Sequence, residues 1–352
     1  MRKPLFHFLI GIFCLGISSC GTTNQVAINT LEPAAVELSK DIRRIGIVKT
    51  KSSVQNLRDL KGLGKAIANE DASLSEVGQE AALNGLLEEL MADSRFDSVI
   101  LLKNEADLTY GNAGTPSEVS WTAIQKLCET HKLDAIFSLA YYQTNTQYSL
   151  KKTKMARADM IRREAEVKGH EINLETLIEN GWRIYDPFSR EVLDEFVFRE
   201  ELKTSARGTS PLRALMALND RKDSLVFKSK TAGHAYGARL QPNEHTVYRK
   251  YHVKGSDNLA MAESHIADEN WDSAVALWQR DTNHEKDKVR AMTCYNLAVF
   301  SELTGNLEEA LSWAYKSDEH QHSKETGEYI ETLKLRIAKD QLARKQLAEL
   351  GR

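Results

Sequence analysis

Two His-Glu pairs are the first residues of this sequence whose types could support catalysis, because a zinc-protease helix begins with such a pair. The pairs are His170-Glu171 and His284-Glu285. Zinc binding also requires a second histidine three positions after the glutamate, and neither pair has one. His320 and His322 could bind a metal ion, but no other cluster of metal-binding residues lies near them in the sequence. The sequence therefore predicts no metal site, and we interpret these two histidines as part of a solvated loop.

The sequence also indicates no covalent nucleophile. The motif G-x-S-x-G, which marks the serine of many hydrolases, is absent. Cys128 and Cys294 have no histidine arranged near them as a general base would be. Aspartate and glutamate are numerous, but no spacing selects a pair as acid and base. We therefore predict no catalytic residue, no cofactor and no enzymatic activity. A hydrolase with a non-standard site stays open, because a missing motif is weak evidence by itself.

Three aromatic residues are candidate contacts for a small ligand. Tyr141 and Tyr142 lie close to the end of one predicted strand, and Trp182 lies on another. Rings at such positions can stack on a sugar or a peptide, and Tyr148 is a further ring in the same region. The alternative is that these rings pack within the fold, because aromatic residues that alternate along a strand usually serve packing.

Arg239 and Arg249 are the other candidate binding residues. They bracket Pro242, at the predicted join between two domains. A guanidinium group binds carboxylates and other anions through paired hydrogen bonds, so the two arginines could contact an anionic ligand. The alternative is a pair of salt bridges that fixes the join between the domains.

The first part of the chain predicts a small α/β sheet that would position these side chains. Three runs of branched apolar residues have the length of strands, namely Ile42–Val48, Asp97–Leu102 and Asp134–Leu139. Two segments between them begin with capping-box residues, Ser73–Glu76 and Thr115–Glu118, and continue with apolar residues at helical spacing. The order strand, helix, strand, helix, strand is typical of a βαβαβ sheet.

A β-hairpin is predicted after this sheet. Thr176–Tyr185 and Val192–Leu202 read as strands on either side of turn-forming residues. Residues 151–166 are densely charged and fit either a helix or a long excursion. Helices are predicted at 210–218 and 222–239.

The pattern from residue 255 onwards is helical only. Ala262 and Ala274 are twelve residues apart, as are Ala298 and Ala310, and the second pair follows the first by 36 residues. Small residues at this spacing let two antiparallel helices approach closely, as in tetratricopeptide-type hairpins. Residues 324–350 predict a long amphipathic helix that would cap two such repeats. A generic helical bundle is the alternative.

The predicted fold class is therefore α+β. A small α/β sandwich domain, with a βαβαβ unit and a hairpin, is expected over residues 40–254. An all-α domain of tetratricopeptide-like repeats is expected over residues 255–352.

Charge limits the classes of partner. The full chain has a net charge of −3, which gives no electrostatic case for binding nucleic acid. The predicted repeat domain has 12 Lys and Arg against 18 Asp and Glu, a net charge of −6. A concave helical face of that sign would suit a basic or polar peptide partner.

The N-terminus has the layout of a secretory signal. Arg2 and Lys3 give a basic start, residues 5–17 carry no charge, and small residues precede Cys20. The tetrapeptide at 17–20, Ile-Ser-Ser-Cys, resembles the lipobox of a bacterial lipoprotein signal. This resemblance implies that residues 1–19 are removed and that Cys20 carries a diacylglyceryl thioether and an acyl group, which would anchor the protein in a membrane. An ordinary signal peptide with an incidental cysteine is the alternative.

Residues 20–39 are predicted to be a tether between the lipid and the first domain. No acidic residue occurs between Cys20 and Glu32. Surface-displayed lipoproteins of Bacteroidota tend to carry acidic residues directly after the cysteine. The segment therefore favours the periplasmic face of the outer membrane.

The two remaining cysteines, Cys128 and Cys294, fall in different predicted domains. A disulfide would be permitted in an oxidising envelope compartment. Because both lie inside amphipathic helical patterns, we favour buried free thiols over a disulfide between domains.

Several segments together resemble a family of Bacteroidota outer-membrane lipoproteins whose function is undefined. Besides the lipobox, the matching segments are Trp182–Asp186, Gly233–Pro242, Arg249–Tyr251, Trp271–Trp278 and Tyr295–Ala310. The resemblance implies a location in the cell envelope and the two-domain architecture, and it implies no reaction.

Two functional hypotheses follow. The first is a lipid-anchored, non-catalytic adaptor or scaffold that binds another envelope protein through its helical repeats. The second is a lipoprotein that binds a glycan or another small ligand at the strand ends of the α/β domain.

Overall fold

The structure is a computed structural model of the chain. It describes residues 22–49, 62–102, 118–158, 164–218 and 220–350. The predicted signal peptide, Cys20 and residues 115–117 of the second predicted capping box lie outside the described residues.

Strands and helices alternate first, and helices then dominate the C-terminal part. The strands are β1 (Thr23–Glu32), β2 (Arg44–Lys49), β3 (Ser98–Leu101), β4 (Ala135–Ala158), β5 (Glu164–Asp186), β6 (Glu191–Gly208) and β7 (Asn243–His252). The helices are α1 (Leu63–Ala92), α2 (Glu118–His131), α3 (Pro211–Met216), α4 (Arg221–Ala238), α5 (Asp257–Ala267), α6 (Trp271–Asp281), α7 (Asp287–Leu303), α8 (Leu307–His320) and α9 (Lys324–Glu349).

The described residues divide into two compact units. Residues 33–243 with 345–350 form what we call the α/β unit. Residues 22–32 with 244–344 form what we call the helical unit. The predicted boundary at 254/255 is therefore wrong, because β7 belongs with the helices that follow it.

A five-stranded sheet forms the centre of the α/β unit. Its strand order is β3-β2-β4-β5-β6. Strand β2 runs parallel to β3 and to β4, and β4, β5 and β6 are successively antiparallel. The three predicted strands of the βαβαβ pattern are confirmed, as is the mixed α/β character of the chain.

Helices pack on both faces of this sheet because neighbouring residues of a strand point to opposite faces. Phe137 lies in a buried cluster with Leu86 of α1 and Leu225 of α4. The preceding residue, Ile136, lies in another cluster with Ile124 of α2. The first βα units therefore bury one apolar layer on each side of the sheet.

The hairpin of β5 and β6 is confirmed, but its strands are much longer than the sequence pattern predicted. The sequence left open whether the charged residues 151–166 form a helix. In the structure, residues 151–158 continue strand β4. Lys151 lies opposite Glu171 of β5, and opposite charges across a strand pair stabilise the pairing. Trp182 lies opposite Phe196, so two aromatic side chains meet across this strand pair.

Helix α1 begins at Leu63, ten residues before the predicted capping box. The prediction was wrong because it underestimated β5, which provides a surface for the early turns of the helix. Ile67 packs there against Ile172 and Leu174. The box residues are inside the helix, where the Ser75 hydroxyl lies 2.8 Å from the hydroxyl of Thr144 on β4.

Two glycines allow α1 and α4 to approach at backbone distance. A Cβ atom on Gly233 would overlap the Ala82 carbonyl oxygen and lie 2.8 Å from the Leu86 nitrogen. A Cβ atom on Gly85 would lie 3.0 Å from the Lys230 carbonyl carbon. Any larger residue at either position would force the two helices apart.

The helical unit contains the predicted series of helices. Its pairs α5/α6 and α7/α8 are each joined by a short turn, and Gly305 in the second turn has a φ of 82°, which favours glycine. The alanines of the predicted repeat spacing are fully buried: Ala262, Ala274, Ala298, Ala310 and Ala314. These small residues permit close helix packing.

Strands β1 and β7 form a two-stranded sheet in the helical unit, which we call the ribbon. The Val253 amide donates to the Thr22 carbonyl at one end, and the Thr30 hydroxyl donates to the His245 carbonyl at the other, so the strands are antiparallel. The prediction that residues 20–39 form a tether is therefore wrong for 23–32. Ile28 is buried against the helices, and the polar residues that alternate with the apolar ones of β1 face solvent.

None of the helices in the described ranges combines the length and the apolar composition that a membrane span needs.

Candidate functional site

Two of the three predicted aromatic contacts lie in the core of the α/β unit. The Trp182 ring stacks on the Tyr236 ring at 5.1 Å between centroids, and its indole NH donates to the Asn180 side chain at 2.7 Å. The Tyr142 hydroxyl is hydrogen-bonded to Ser229 at 2.6 Å, and burial raises its pKa to about 12. Because neither ring presents a face to solvent, the predicted binding role is corrected to a packing role for both.

Tyr141 is the predicted aromatic residue that stays accessible, with 38% of its surface exposed. Its ring lies against Gly181 of β5, where a Cβ atom would be 2.6 Å and 2.9 Å from two ring carbons. Burial is the largest cause of its raised pKa, and the Glu179 carboxylate is the next. The ring is therefore held on the sheet surface with polar neighbours.

Arg239 makes contacts inside the α/β unit. Its guanidinium group donates to the Asp194 carboxylate at 2.9 Å and lies 3.9 Å from the centroid of the Phe196 ring. The ion pair neutralises the charge that an anionic ligand would need. Arg239 thus forms a salt bridge, as in the predicted alternative, but this bridge lies within the α/β unit and not at the predicted join.

Arg249 makes a two-point ion pair inside the helical unit. Its Nε and Nη2 atoms donate to the two carboxylate oxygens of Glu302 at 2.9 Å and 3.1 Å. Arg336 also donates to Glu302, and so does the Tyr329 hydroxyl, at 2.8 Å. The Glu302 carboxylate is fully buried and is compensated by these donors.

This buried carboxylate connects the ribbon to two helices. Glu302 lies on α7, Arg336 on α9 and Arg249 on β7. Arg336 also donates to the Asn29 carbonyl of β1 at 3.0 Å. Burial raises the pKa of Tyr329, and the adjacent Glu302 raises it further, so the phenol stays a donor to the carboxylate. The cluster fixes both strands of the ribbon on the helices.

Asn296 of α7 holds the ribbon through main-chain hydrogen bonds. Its side-chain oxygen accepts from the His252 amide, and its side-chain NH₂ donates to the His252 carbonyl, both at 2.7 Å. A buried asparagine in a helix thus completes the backbone hydrogen bonding of a strand. The chain's own ribbon therefore lies against α7 at Asn296.

The outward side of the ribbon is the candidate interaction surface of the helical unit. We call it the ribbon face, and it consists of Gln25, Ala27, Asn29, Thr246, Tyr248 and Lys250. Tyr248 is 68% exposed, although its neighbours Arg249 and Tyr251 point into the unit. The strand thus exposes a large aromatic side chain, while the residues that alternate with it are held by contacts with the helices.

A second buried charge network lies in the α/β unit. Arg221, whose side chain is fully buried, donates to Asp71 at 2.5 Å, to Thr146 at 2.7 Å and to Thr176 at 3.1 Å. Its other terminal nitrogen lies 3.0 Å from the Glu70 carboxylate. Every group in this network contacts another group of the unit, so we interpret it as a structural connection between α1, α4 and the sheet.

The two described cysteines are buried and free, as predicted. Burial raises the pKa of Cys128 to about 12 and that of Cys294 to about 11. Both groups are therefore thiols at neutral pH, which is the unreactive form.

The histidines that suggested a metal site have partners of their own. His322 Nδ1 lies 3.0 Å from Asp318, and the Arg290 Nε atom lies 3.4 Å from His320 Nδ1. Within the ranges that the structure describes, no group of three metal-binding side chains converges.

A cavity of about 230 Å³ in the α/β unit has an apolar lining that includes Val36, Ile42 and Phe96. Its two arginines are neutralised: Arg43 pairs with Asp97 at 2.6 Å, and Arg95 pairs with Asp93 at 2.6 Å. Neither arginine is therefore available to an anionic ligand without first giving up its carboxylate partner.

Arg249 was singled out from sequence, but the helical residues that bind the ribbon, Asn296 and Glu302, were not. A signal for them was available, because Asn296 and Glu302 interrupt a helical stretch that is otherwise largely apolar. A polar residue at such a position needs a buried partner. The partner itself could not be identified, because β7 and α9 meet α7 only in the fold.

Known proteins give little further information. No curated protein matches the chain significantly. The PelC dodecamer from Paraburkholderia phytofirmans is similar with 9% identity and a TM-score of 0.24, over 62% of this chain and 97% of PelC. A putative neuraminyllactose-binding hemagglutinin homolog from Helicobacter pylori has 10% identity and a TM-score of 0.23, over 66% of this chain and 92% of its own. Likeness at this level supports no inference about this chain.

Two family descriptions match by sequence. "Domain of unknown function (DUF6340)" matches residues 260–335, within the helical unit. "Domain of unknown function (DUF8603)" matches residues 42–252, which is more than half of the chain and runs from just before β2 to the end of β7. The chain therefore belongs to the family described as Domain of unknown function (DUF8603).

Proposed function

We propose that this protein is a lipid-anchored, non-catalytic adaptor of the cell envelope that binds another envelope protein through its helical unit. The anchor is Cys20, on the strength of the lipobox-like tetrapeptide that it ends. The location that fits best is the periplasmic face of the outer membrane, as in the lipoprotein family that the sequence resembles. The paired helices with fully buried alanines support a tetratricopeptide-like architecture for the binding unit.

The observation that carries this proposal is the exposed ring of Tyr248 on a rigidly held strand. Aromatic side chains dominate the energetics of protein interfaces when they are presented in a fixed position. Val247, which packs against the helices, and the ion pair of Arg249 with Glu302 hold β7 on both sides of Tyr248. The ring therefore loses little conformational freedom when a partner covers it.

The ribbon also suggests how the partner binds. Its two strands pair with no third strand among the described residues. An extended segment of another protein can add to such an edge through main-chain hydrogen bonds, while an exposed side chain such as Tyr248 gives specificity. We therefore propose an extended segment of an envelope protein as the bound element.

Affinity purification from detergent-solubilised envelope tests this function. Wild-type protein, Tyr248→Ala and the control Leu335→Ala are compared; Leu335 is 57% exposed on α9 and is outside the ribbon face. We expect one or a few proteins to copurify with wild type and with the control, and to be lost with Tyr248→Ala. Equal recovery by all three variants would contradict the assignment of the ribbon face.

The second predicted function, glycan or small-ligand binding by the α/β domain, keeps only Tyr141 of its three aromatic contacts, because Tyr142 and Trp182 are core residues.

A further inference from the structure

An apolar strip crosses three strands of the α/β unit, on the sheet face where Tyr141 is exposed. Tyr141 on β4 lies opposite Gly181 on β5, and Gly181 lies opposite Val197 on β6. The strip spans two strand spacings, about 10 Å. The ring covers Gly181, which has no side chain that could lift it away from the sheet.

The strip is bordered by a row of polar side chains on each side. One row contains Arg183 and Glu195, which are paired at 2.9 Å. The other contains Gln143, Glu179 and Arg199, in which the glutamate pairs with the arginine at 2.7 Å and also accepts from the glutamine. Each row is two residues from the strip along the strands, a distance of about 7 Å.

The rows carry no excess charge, and their accessible charged members are Glu195, which is 55% exposed, and Arg199, which is 65% exposed. Each arginine is matched by one carboxylate, so the net charge of the two rows is zero. The strand register places these four charged groups around the ring, and their charges also influence the pKa of the Tyr141 hydroxyl, which burial raises most. An anionic ligand would have to displace a carboxylate from its arginine.

We propose that this face, formed by Tyr141, Gly181 and Val197 with its two polar rows, is a binding site for a neutral glycan. A pyranose ring has an apolar face of C–H groups, which packs on the negative face of an aromatic ring. Its hydroxyl groups lie at the rim and both donate and accept hydrogen bonds, as carboxylates, amides and guanidinium groups require. The strip and its two rows reproduce this division between an apolar centre and polar edges.

A protein partner fits this face less well. Interface anchors are usually surrounded by groups that exclude water, whereas charged and amide side chains surround Tyr141. A sugar, by contrast, brings hydroxyl groups that satisfy those side chains.

Binding of oligosaccharides to the full chain in detergent micelles tests the proposal. An array of neutral and acidic oligosaccharides selects a neutral probe, and NMR titration then measures its affinity. Tyr141→Ala should weaken binding at least about tenfold, whereas Tyr141→Phe, which keeps the ring, should change it less than about threefold. Tyr148→Ala is the matched control. Tyr148 is also an exposed tyrosine of β4, but its side chain lies on the opposite face of the sheet from Tyr141.

Gly181→Ala separates the position of the ring from its presence. The added Cβ atom would displace the Tyr141 ring from the sheet, so affinity should fall although the tyrosine remains. Circular dichroism and the unaltered binding of the Tyr148→Ala control establish that loss of binding is local. The proposal is overturned if no neutral oligosaccharide binds, if acidic ones bind in preference, or if Tyr141→Ala binds as well as wild type.

Discussion

Replacing Gly233 by alanine is the sharpest test of the α/β unit, because it adds a single methyl group where two helix backbones meet. The methyl group would overlap the Ala82 carbonyl oxygen and lie 2.8 Å from the Leu86 nitrogen. Both are backbone atoms of α1, so no side-chain rotation can relieve the overlap. Helix α1 or α4 must shift as a whole.

The size of the effect follows from two opposing contributions. Overpacking of a buried site costs about 1–3 kcal/mol, and the rigid surroundings of Gly233 place it at the upper end of that range. Alanine gains about 1 kcal/mol over glycine in a helix interior. We therefore expect a net destabilisation of about 2 kcal/mol.

Gly327 of α9 provides the matched control. A Cβ atom at this position would meet no atom within 4 Å. Gly327→Ala keeps the gain in helix propensity without the overlap, so it should stabilise the helical unit by about 0.5–1 kcal/mol.

The two buried cysteines give an assay that resolves the units. Cys128 lies in the α/β unit and Cys294 in the helical unit, and both thiols are protected when folded. Thiol labelling across a urea series, with each cysteine identified by mass spectrometry, reports the unfolding of each unit. With a slope of about 2 kcal/mol per M urea, Gly233→Ala should lower the Cys128 midpoint by about 1 M. A Gly233→Ala midpoint at or above that of wild type would refute the close approach of α1 and α4.

Three further predictions concern buried ionisable groups and use the same labelling assay. Glu302→Gln should destabilise the helical unit by about 3 kcal/mol, because it leaves Arg249 and Arg336 without the buried carboxylate that they share; an unchanged Cys294 midpoint would exclude that role. Arg221→Met should cost the α/β unit a similar amount, about 3 kcal/mol, because it leaves the Asp71 carboxylate buried without its cation, and a neutral result would contradict this. Burial lowers the pKa of His252 below its ordinary value near 6.5. Below that pH the unfolded state binds the extra proton, so stability falls as pH decreases from 6.5 towards the folded-state pKa, and His252→Phe should flatten this slope.

The sequence predicted the parts of the fold that depend on local patterns. Strands β2 and β3 and the start of β4 were predicted within two residues, because short branched apolar runs mark buried strands. The helical character of the C-terminal part was predicted because apolar and small residues recur there at helical spacing, as Ala262 and Ala298 do.

The features that depend on distant partners were predicted incorrectly or not at all. Strand β1 was interpreted as a tether because its pairing partner, β7, is more than 200 residues away in the chain. The beginning of α1 was misplaced because Ile67 is buried by a part of β5 whose strand character the charged sequence concealed.

In the candidate sites too, local patterns were predicted correctly, whereas features that depend on strand pairing were not. Tyr141, Tyr142 and Trp182 were grouped as aromatic residues on strands, but register and bulges separate their faces. The irregularity between Leu139 and Tyr141 sends the Tyr141 ring to the open face of the sheet, opposite Gly181. A shift of one residue in register reverses every side chain, and the sequence pattern alone does not locate such a shift.

Photo-crosslinking in intact cells tests the central claim most directly, namely that this protein is fastened to a membrane and holds another envelope protein there. A photoreactive amino acid replaces Tyr248 on the ribbon face, with Leu335 as the control position, in chains that carry either Cys20 or Cys20→Ser. We predict one dominant crosslinked envelope protein from position 248, none of it from position 335, and loss of both the crosslink and membrane fractionation with Cys20→Ser. A crosslinking pattern that is the same at both positions, or membrane fractionation that survives Cys20→Ser, would contradict the account.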